Sequence, residues 1–509
     1  MTSIWMQTAD PIPKDEAPPP PESPVVIVGA GLTGLAMARM LADGGVPAVV
    51  LEARSIGAVT TGNTTGKLSL LQGKVFSEMR SHTGDAVLRA YADANRAGQE
   101  WLRQQVEGEP GCAVRKDAVT WADTEEGLAA LDEETAAMAA ADVEVERVAP
   151  DDLARLGLPF TPLAALRLRD QTQLHAMRVL AVLARTIRAS GTRIVEGCRV
   201  TGADLGSDGV VLETSGGPVR AGAVILATGT PILNRGLHFA KLVAERSFVA
   251  AYDIPPSQQL PDGMFLSLDP VGHSLRVDDI DGKRVLIVGG GNHLTGRGGD
   301  TTALLAELDE WTATNWPGAQ RTADWAAQDY RAVTRVPYAA AVPRTRDLIY
   351  AATGYHKWGM TNSIAAALRI AWQLEIPGHR GGRQDEWART LGDHHAGLAD
   401  AIDAVAANAE VAAHLAVGWA RAEASGRHEQ LREGQGRVIR SGASPVAESR
   451  VDGVTCRVSG VCTHLGGILS WNAAEASWDC PLHGSRFDAR GRRLEGPAVT
   501  DLAQAQPRP

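Results

Sequence analysis

Four residues near the end of the chain have the types and spacing of a metal site. Cys462-Thr-His464-Leu-Gly and Cys480-Pro-Leu-His483-Gly-Ser485-Arg-Phe487-Asp488 each pair a thiol with an imidazole, once as C-x-H and once as C-x-x-H. Thiolate sulfur and imidazole nitrogen suit transition metals, and a tetrahedral zinc ion could take all four. The other cysteines are Cys112, Cys198 and Cys456. Five cysteines spread over 509 residues are not a disulfide framework, and Cys456 is expected to be a buried structural thiol.

A second constellation lies near the start. Residues 25–54 read VVIVGAGLTGLAMARMLADGGVPAVVLEAR. The pattern predicts a buried strand over 25–28, a helix, and a second strand over 48–51 that ends in Glu52. Gly29 permits a sharp turn, Gly31 lets the backbone approach a pyrophosphate, and Gly34 lets helix and strand pack closely. The helix N-terminus then faces the phosphates with its positive dipole end. Glu52 can accept both hydroxyls of an adenosine ribose, which favours FAD or NAD over NADP. RVLIVGGGNHLTGRGG (284–299) could be a second such site, for NADH. However, Leu294 stands in the place of the third glycine and no acid follows at the usual distance.

Several kinds of element must position these groups. Residues 1–24 contain PIPKDEAPPPPESP, a Pro-rich lead expected to be flexible, with order beginning at Val25. Residues 25–385 alternate strand-like runs with helical periodicity. Residues 386–435 are Ala-rich and charged and read as a helical connector. Residues 436–509 change to short β-like pieces between Gly, Ser and Asp, a small β domain. The net charge of −10 argues against a nucleic-acid partner. No apolar run is long enough to span a bilayer and no signal peptide is visible, so a cytoplasmic location is expected.

Two later segments point to a flavin. AGAVILATGTP (221–231), with Thr228 and Gly229 in its turn, looks like the strand-to-turn return of flavoproteins to their cofactor. DLIYAATGYHKWGMTNSIAAALRIAWQL (347–374) looks like a second return, whose helix start can stabilise charge at the flavin N1–C2=O edge. Over residues 25–374 the chain resembles the D-amino-acid-oxidase-like flavoproteins, which include glycine and sarcosine oxidases and amino-acid dehydrogenases. The resemblance implies that Gly29, Gly31, Gly34, Glu52 and Arg54 hold the ADP half of FAD and that Val200 touches the adenine through its backbone. It places Gly354 and the Trp358-Gly359-Met360-Thr361 turn against the ribityl chain and ring. In the loop TTGNTTGKLSLLQG (60–73), Thr65 and Lys67 are candidates for pyrophosphate and flavin contacts. Neither Cys112 nor Cys198 has a motif that marks covalent attachment.

Over residues 436–502 the chain resembles Rieske domains. By that resemblance Cys462 and Cys480 bind one iron of a [2Fe–2S] cluster and His464 and His483 bind the other. Gly467 and Leu482 stand where many relatives place a bracing disulfide, and Phe487 where they place a tyrosine. Ser485 is retained. Loss of one of two hydroxyl donors implies a potential below that of respiratory-complex Rieske proteins.

The combined expectation is an α/β Rossmann-like FAD-binding domain with an interleaved α+β substrate domain, followed by a small all-β Rieske domain. It resembles a bacterial group of amino-acid-oxidase-like flavoproteins with a C-terminal Rieske domain. That implies a dehydrogenase oxidising a small amine or amino acid, passing electrons from flavin to cluster and on to an external acceptor. The substrate region is expected within about residues 101–168 and 247–338. Arg276 is the candidate clamp for a substrate carboxylate, His293 the candidate to orient substrate or flavin, and His175 a weaker candidate. A hydroxy-acid dehydrogenase, an NADH-linked reductase feeding the cluster, and a redox-sensing or electron-carrying partner protein are the alternatives.

Overall fold

The computed structural model describes all residues except 281, 395–397, 425–429, 442–443 and 506–509. The strand Glu22–Val28 lies inside a sheet of eight strands, with Val26 and Ile27 fully buried. Helices cover the sheet, so its central strands are continuous apolar runs rather than alternating ones. Glu22–Val28 runs parallel to Ala48–Leu51 on one side and to Val219–Leu226 on the other. Val28 pairs with Leu51 and Leu226, so three strands end at one level. Gly29, Glu52 and the turn at Thr228 and Gly229 therefore emerge together, at the carboxyl edge where such sheets bind ligands.

Glycine is required at this edge. Gly29 has φ +107, and a Cβ on it would meet the Ala227 carbonyl oxygen at 2.4 Å. A Cβ on Gly34, in the helix Leu32–Asp43, would meet the Gly29 carbonyl oxygen at 1.9 Å. Helix and strand thus pack at a separation that only glycine permits.

A second, mostly antiparallel sheet of nine strands carries the interleaved region. The strand Lys283–Leu294 contains the second glycine-rich segment and is antiparallel to both neighbours, Leu242–Asp253 and Ser274–Ile280. That setting differs from the parallel strand–turn–helix of a dinucleotide site, so the NADH reading of this segment finds no support in the fold.

Order begins well before Val25, contrary to the expectation of a flexible lead. Ile4–Thr8 is a short helix, and Trp5 is fully buried with its rings against His175 and Trp325. The Trp5 indole donates to the Thr64 carbonyl at 2.6 Å, and the Ser3 hydroxyl donates to the Gly62 carbonyl at 2.5 Å. The chain start is pinned to the loop that follows the second strand.

The C-terminal region is an all-antiparallel β domain. Gly436–Ser441, Ser444–Val451 and Val454–Ser459 form one sheet, and Ser470–Asn472, Ser477–Asp479, Arg486–Asp488 and Arg493–Glu495 form another. Trp478, Phe487, Val458 and Ala447 are its fully buried centre. Cys456 is half-buried rather than buried. The helix Leu398–Ala424 precedes this domain and packs Val411 and Leu415 against its core. Among the described residues, no helix is long and apolar enough to cross a membrane.

Candidate functional site

One elongated cavity opens at the carboxyl edge of the parallel sheet and runs to the second sheet. Gly29, Gly31, Glu52, Arg54, Val200, Thr228 and Gly229 line it, together with Thr65, Lys67, Trp358, Gly359 and Met360. Glu52 is fixed by two backbone donors, Ala30 N–H at 2.8 Å and Arg54 N–H at 2.7 Å. Burial pushes its carboxyl up, and those two donors oppose the shift. Two helices, Leu32–Asp43 and Gly359–Gln373, begin at the cavity without a side-chain cap. Leu32 N–H is taken by the Thr61 hydroxyl, and the dipole ends of both helices face the cavity, where an anion or a developing negative charge is favoured. Gly34, Gly354 and Thr361 do not line the cavity. Gly34 acts through packing, Gly354 (φ +84) shapes the approach to the turn, and Thr361 is buried and accepts from Gln72 at 3.1 Å.

Lys67 is buried, and its ammonium donates to the Phe265 carbonyl at 2.5 Å. Burial, with a smaller contribution from nearby Arg276, pulls its pKa down to about 7. Around it, Phe248, Val249 and Leu266 supply apolar wall. Sequence reasoning missed Thr61, whose hydroxyl accepts from Leu32 N–H at 3.1 Å, as well as Lys357, Asn292, Asp329 and Glu245. The Lys357 ammonium donates to Asn292 at 2.8 Å, and Glu245 pairs with Arg331 at 2.9 Å. Burial pushes Asp329 up to about 6, against N–H donors from Tyr330 and Lys357. His356 and Lys357 both adopt positive φ, 48° and 68°, immediately before Trp358. Both lie within the predicted 347–374 segment, but nothing in the sequence marks the positive-φ turn that sets Lys357 at the cavity.

Three predicted residues lie elsewhere. Arg276 is 1% exposed and donates to the carbonyls of Thr65, Gly66 and Leu174 at 2.8, 3.2 and 3.0 Å, and to Asp278. Its guanidinium lies 4.9 Å from the Trp5 ring. Nη1 and Nη2 are thus engaged while Nε is buried without a partner, and Arg276 does not line the cavity, so its place is that of a brace for the Lys67 loop. His293 hydrogen-bonds the Gly291 carbonyl at 2.8 Å, stacks on Phe248 and does not line the cavity. His175 caps the helix Ala176–Ala189 and contacts Thr8 at 3.1 Å. Cys112 and Cys198 are buried and line no part of the cavity.

The four predicted metal ligands form two pairs, thiol with thiol and imidazole with imidazole, and among the described residues no three potential ligands gather as they would around a single metal ion. Cys462 and Cys480 are each 2% exposed, and the His464 and His483 rings are 5.2 Å apart. The Cys462 thiol is drawn down to about 7 by its hydrogen bond with Cys480, helped by the N–H groups of His464 and Leu465 and by the Ser485 hydroxyl. The same contact pushes Cys480 up. Nδ1 of both histidines is buried without a hydrogen-bond partner, while His464 Nε2 reaches Asn234 at 3.1 Å. A Cβ on Gly467 would meet Leu482 at 2.7 Å, so that leucine fills the place of the bracing disulfide.

Comparisons with known proteins agree with this geometry. Residues 24–373 match the family model of FAD dependent oxidoreductases, and residues 423–506 match that of the Rieske [2Fe-2S] domain. The chain belongs to the FAD dependent oxidoreductase family. It is 28% identical over 488 residues to YhfW of Bacillus subtilis (strain 168), named for a Rieske 2Fe-2S iron-sulfur protein, covering 95% of this chain and 93% of that one. Its fold is similar to glycine oxidase from Geobacillus kaustophilus, with TM-score 0.57, 20% identity and 70% and 95% of the two chains covered. It is similar too to L-amino acid deaminase from Proteus myxofaciens, with TM-score 0.56, 16% identity and 72% and 92% covered.

The residues present fit both groups. The glycine cradle and two helix starts at the cavity suit the dinucleotide, and two buried thiols beside two orphaned imidazole nitrogens suit the [2Fe–2S] centre. The oxidoreductase and its Rieske domain also share a built interface. Phe239 of the flavin region sets its ring edge-on to both His464 and His483, at 5.0 Å each. Buried Arg246 pairs with Glu475 and Glu495 of the Rieske domain, and Arg486 joins the same two carboxylates at 3.0 and 2.8 Å.

Proposed function

We propose that the protein is a dehydrogenase of a small amine or amino acid whose electrons leave through the Rieske centre to an external acceptor. The observation that carries this reading is a single buried glutamine. Gln328 Nε2 donates at 2.8 Å to the hydroxyl of Tyr330, which lines the flavin cavity, and at 2.8 Å to the carbonyl of Gly484, between His483 and Ser485. One side chain thus spans the partition between the two cofactor sites. When bound, FAD supplies two-electron oxidation of the substrate and the [2Fe–2S] centre supplies one-electron exit.

The chain's own residues prepare the substrate. Lys67, neutral in good part near pH 7, accepts the proton of a substrate ammonium group at Nζ, leaving the neutral amine that a C–N oxidation needs. Phe248, Val249 and Leu266 keep water away from the reacting carbon. With Arg276 committed to the loop, Lys357 is the cation placed to meet a substrate carboxylate. No two of the five cysteines form a disulfide, which suits a reducing compartment such as the cytoplasm.

The test is anaerobic mixing of the purified protein with amines and amino acids, hydroxy acids and NADH, each followed by flavin absorbance. Bleaching by an amine or amino acid is expected. Bleaching by hydroxy acids or NADH with all amines silent would replace this reading by another dehydrogenase or a reductase. A flavin that responds only to reductants acting through the cluster would make the protein an electron carrier.

A further inference from the structure

The cavity that holds the dinucleotide is not closed by the flavin region alone. Arg493, Leu494, Glu495, Gly496 and Ala498 of the Rieske domain line it, beside Glu52, Arg54 and Val200. Two hydrogen bonds seat this segment: Arg54 donates to the Leu494 carbonyl at 3.4 Å and the Tyr330 hydroxyl to the Gly496 carbonyl at 3.5 Å. Glu495 is anchored from behind by Arg246 at 3.1 Å and Arg486 at 2.8 Å.

Arg493 is the member with unspent capacity. Its side chain is 7% exposed, Nη1 donates to the Ala498 carbonyl at 2.8 Å, and Nε is buried with no hydrogen-bond partner. Burial, and then the neighbouring Arg199 of the flavin region, pull its pKa down to about 10. Two guanidiniums from two domains are therefore gathered at the end of the cavity marked by the ribose acid, with Arg54 as a third. Asp501 faces both Arg493 and Arg199, and Glu52 faces Arg199, so part of this charge is already offset. A π-face or a further anion between the guanidiniums stabilises the remainder. The adenosine half of a dinucleotide supplies such a face and stands next to its pyrophosphate.

We propose that the Rieske domain completes the FAD site, with Arg493 and residues 494–498 closing over the adenosine half. FAD and the docked Rieske domain then hold one another in place. By linkage, whatever factor docking adds to FAD affinity, FAD adds to docking. FAD is therefore held more tightly in molecules whose cluster domain is seated, which favours the presence of the one-electron exit wherever the two-electron site is loaded.

Two measurements on the full-length, cluster-containing protein test this, and neither involves a substrate, so the result is separate from the amine chemistry. In the unsubstituted chain stripped of FAD, amide hydrogen exchange across residues 493–498 should slow when FAD is added. Exchange indifferent to FAD overturns the proposal. In Arg493→Met, FAD should dissociate about tenfold more readily, read from flavin fluorescence at fixed iron content, with Arg493→Lys recovering part of the loss. Unchanged FAD affinity in a folded Arg493→Met protein with full iron also overturns it. If that variant does not fold, the exchange measurement decides.

Discussion

A lysine buried in a cavity with no acid beside it is driven toward its neutral form, and that sets the behaviour expected of Lys67. Its pKa near 7 means the proton-accepting form grows as pH rises through neutrality. The rate of substrate-driven flavin reduction should climb through about pH 7, and Lys67→Met should remove that limb and slow the step by about 10²–10⁴-fold. Stopped-flow reduction across pH checks both. At the cluster, Phe487 is fully buried where a hydroxyl donor is common in Rieske domains. Phe487→Tyr should raise the cluster midpoint potential, measured by an EPR-monitored redox titration. The two Cys/His pairs stood out as candidate ligands because thiols and imidazoles at short spacings have few other uses. Arg276 was misread because an arginine's identity does not say which way it faces. Its donors went to the carbonyls of Thr65, Gly66 and Leu174, backbone groups that no sequence motif marks.

Among the elements, the parallel strands and their glycine turn were readable because strand, glycine spacing, helix and acid all demanded the same geometry. The second glycine-rich segment was readable for the opposite reason, since Leu294 and the missing acid broke that agreement. The N-terminal helix Ile4–Thr8 was not readable. Five residues give no periodicity to detect, and the prolines that follow suggest a free tail. What orders it is one aromatic side chain in a pocket made by distant residues, His175, Trp325 and Arg276. Trp5→Ala should therefore cost about 3–5 kcal/mol in chemical denaturation, far more than a tail residue would. It should also loosen the 61–64 loop that lines the cavity, seen as a lower flavin content at equal protein.

For the whole molecule, both halves could be named from motifs, yet the face on which they meet could not. Arg246, Gln328, Glu475 and Glu495 are scattered through the chain, and each reads as an ordinary polar residue. Together they form a largely buried junction, in which Arg246 is 1% exposed. Arg246→Leu leaves Glu475 and Glu495 to share Arg486 alone and should destabilise the chain by about 1–3 kcal/mol, less than a fully uncompensated buried charge would. Burial alone would raise the Glu475 carboxyl, but Arg486 and Arg246 hold it down to about 2. A depressed acid contributes stability that is present above its unfolded value of 4.5 and is lost as pH falls from there toward 2. Melting temperatures of the unsubstituted chain and Arg246→Leu should thus differ most at neutral pH, begin to draw together below about 4.5 and converge toward pH 2. Across this junction, electrons taken from an amine are expected to reach the Rieske centre. The most direct test is EPR of the anaerobic protein frozen after addition of an amine or amino acid that bleaches the flavin. The account predicts the rhombic signal of a reduced Rieske centre appearing with the bleaching. A bleached flavin beside a cluster that dithionite reduces but the substrate never does would contradict it.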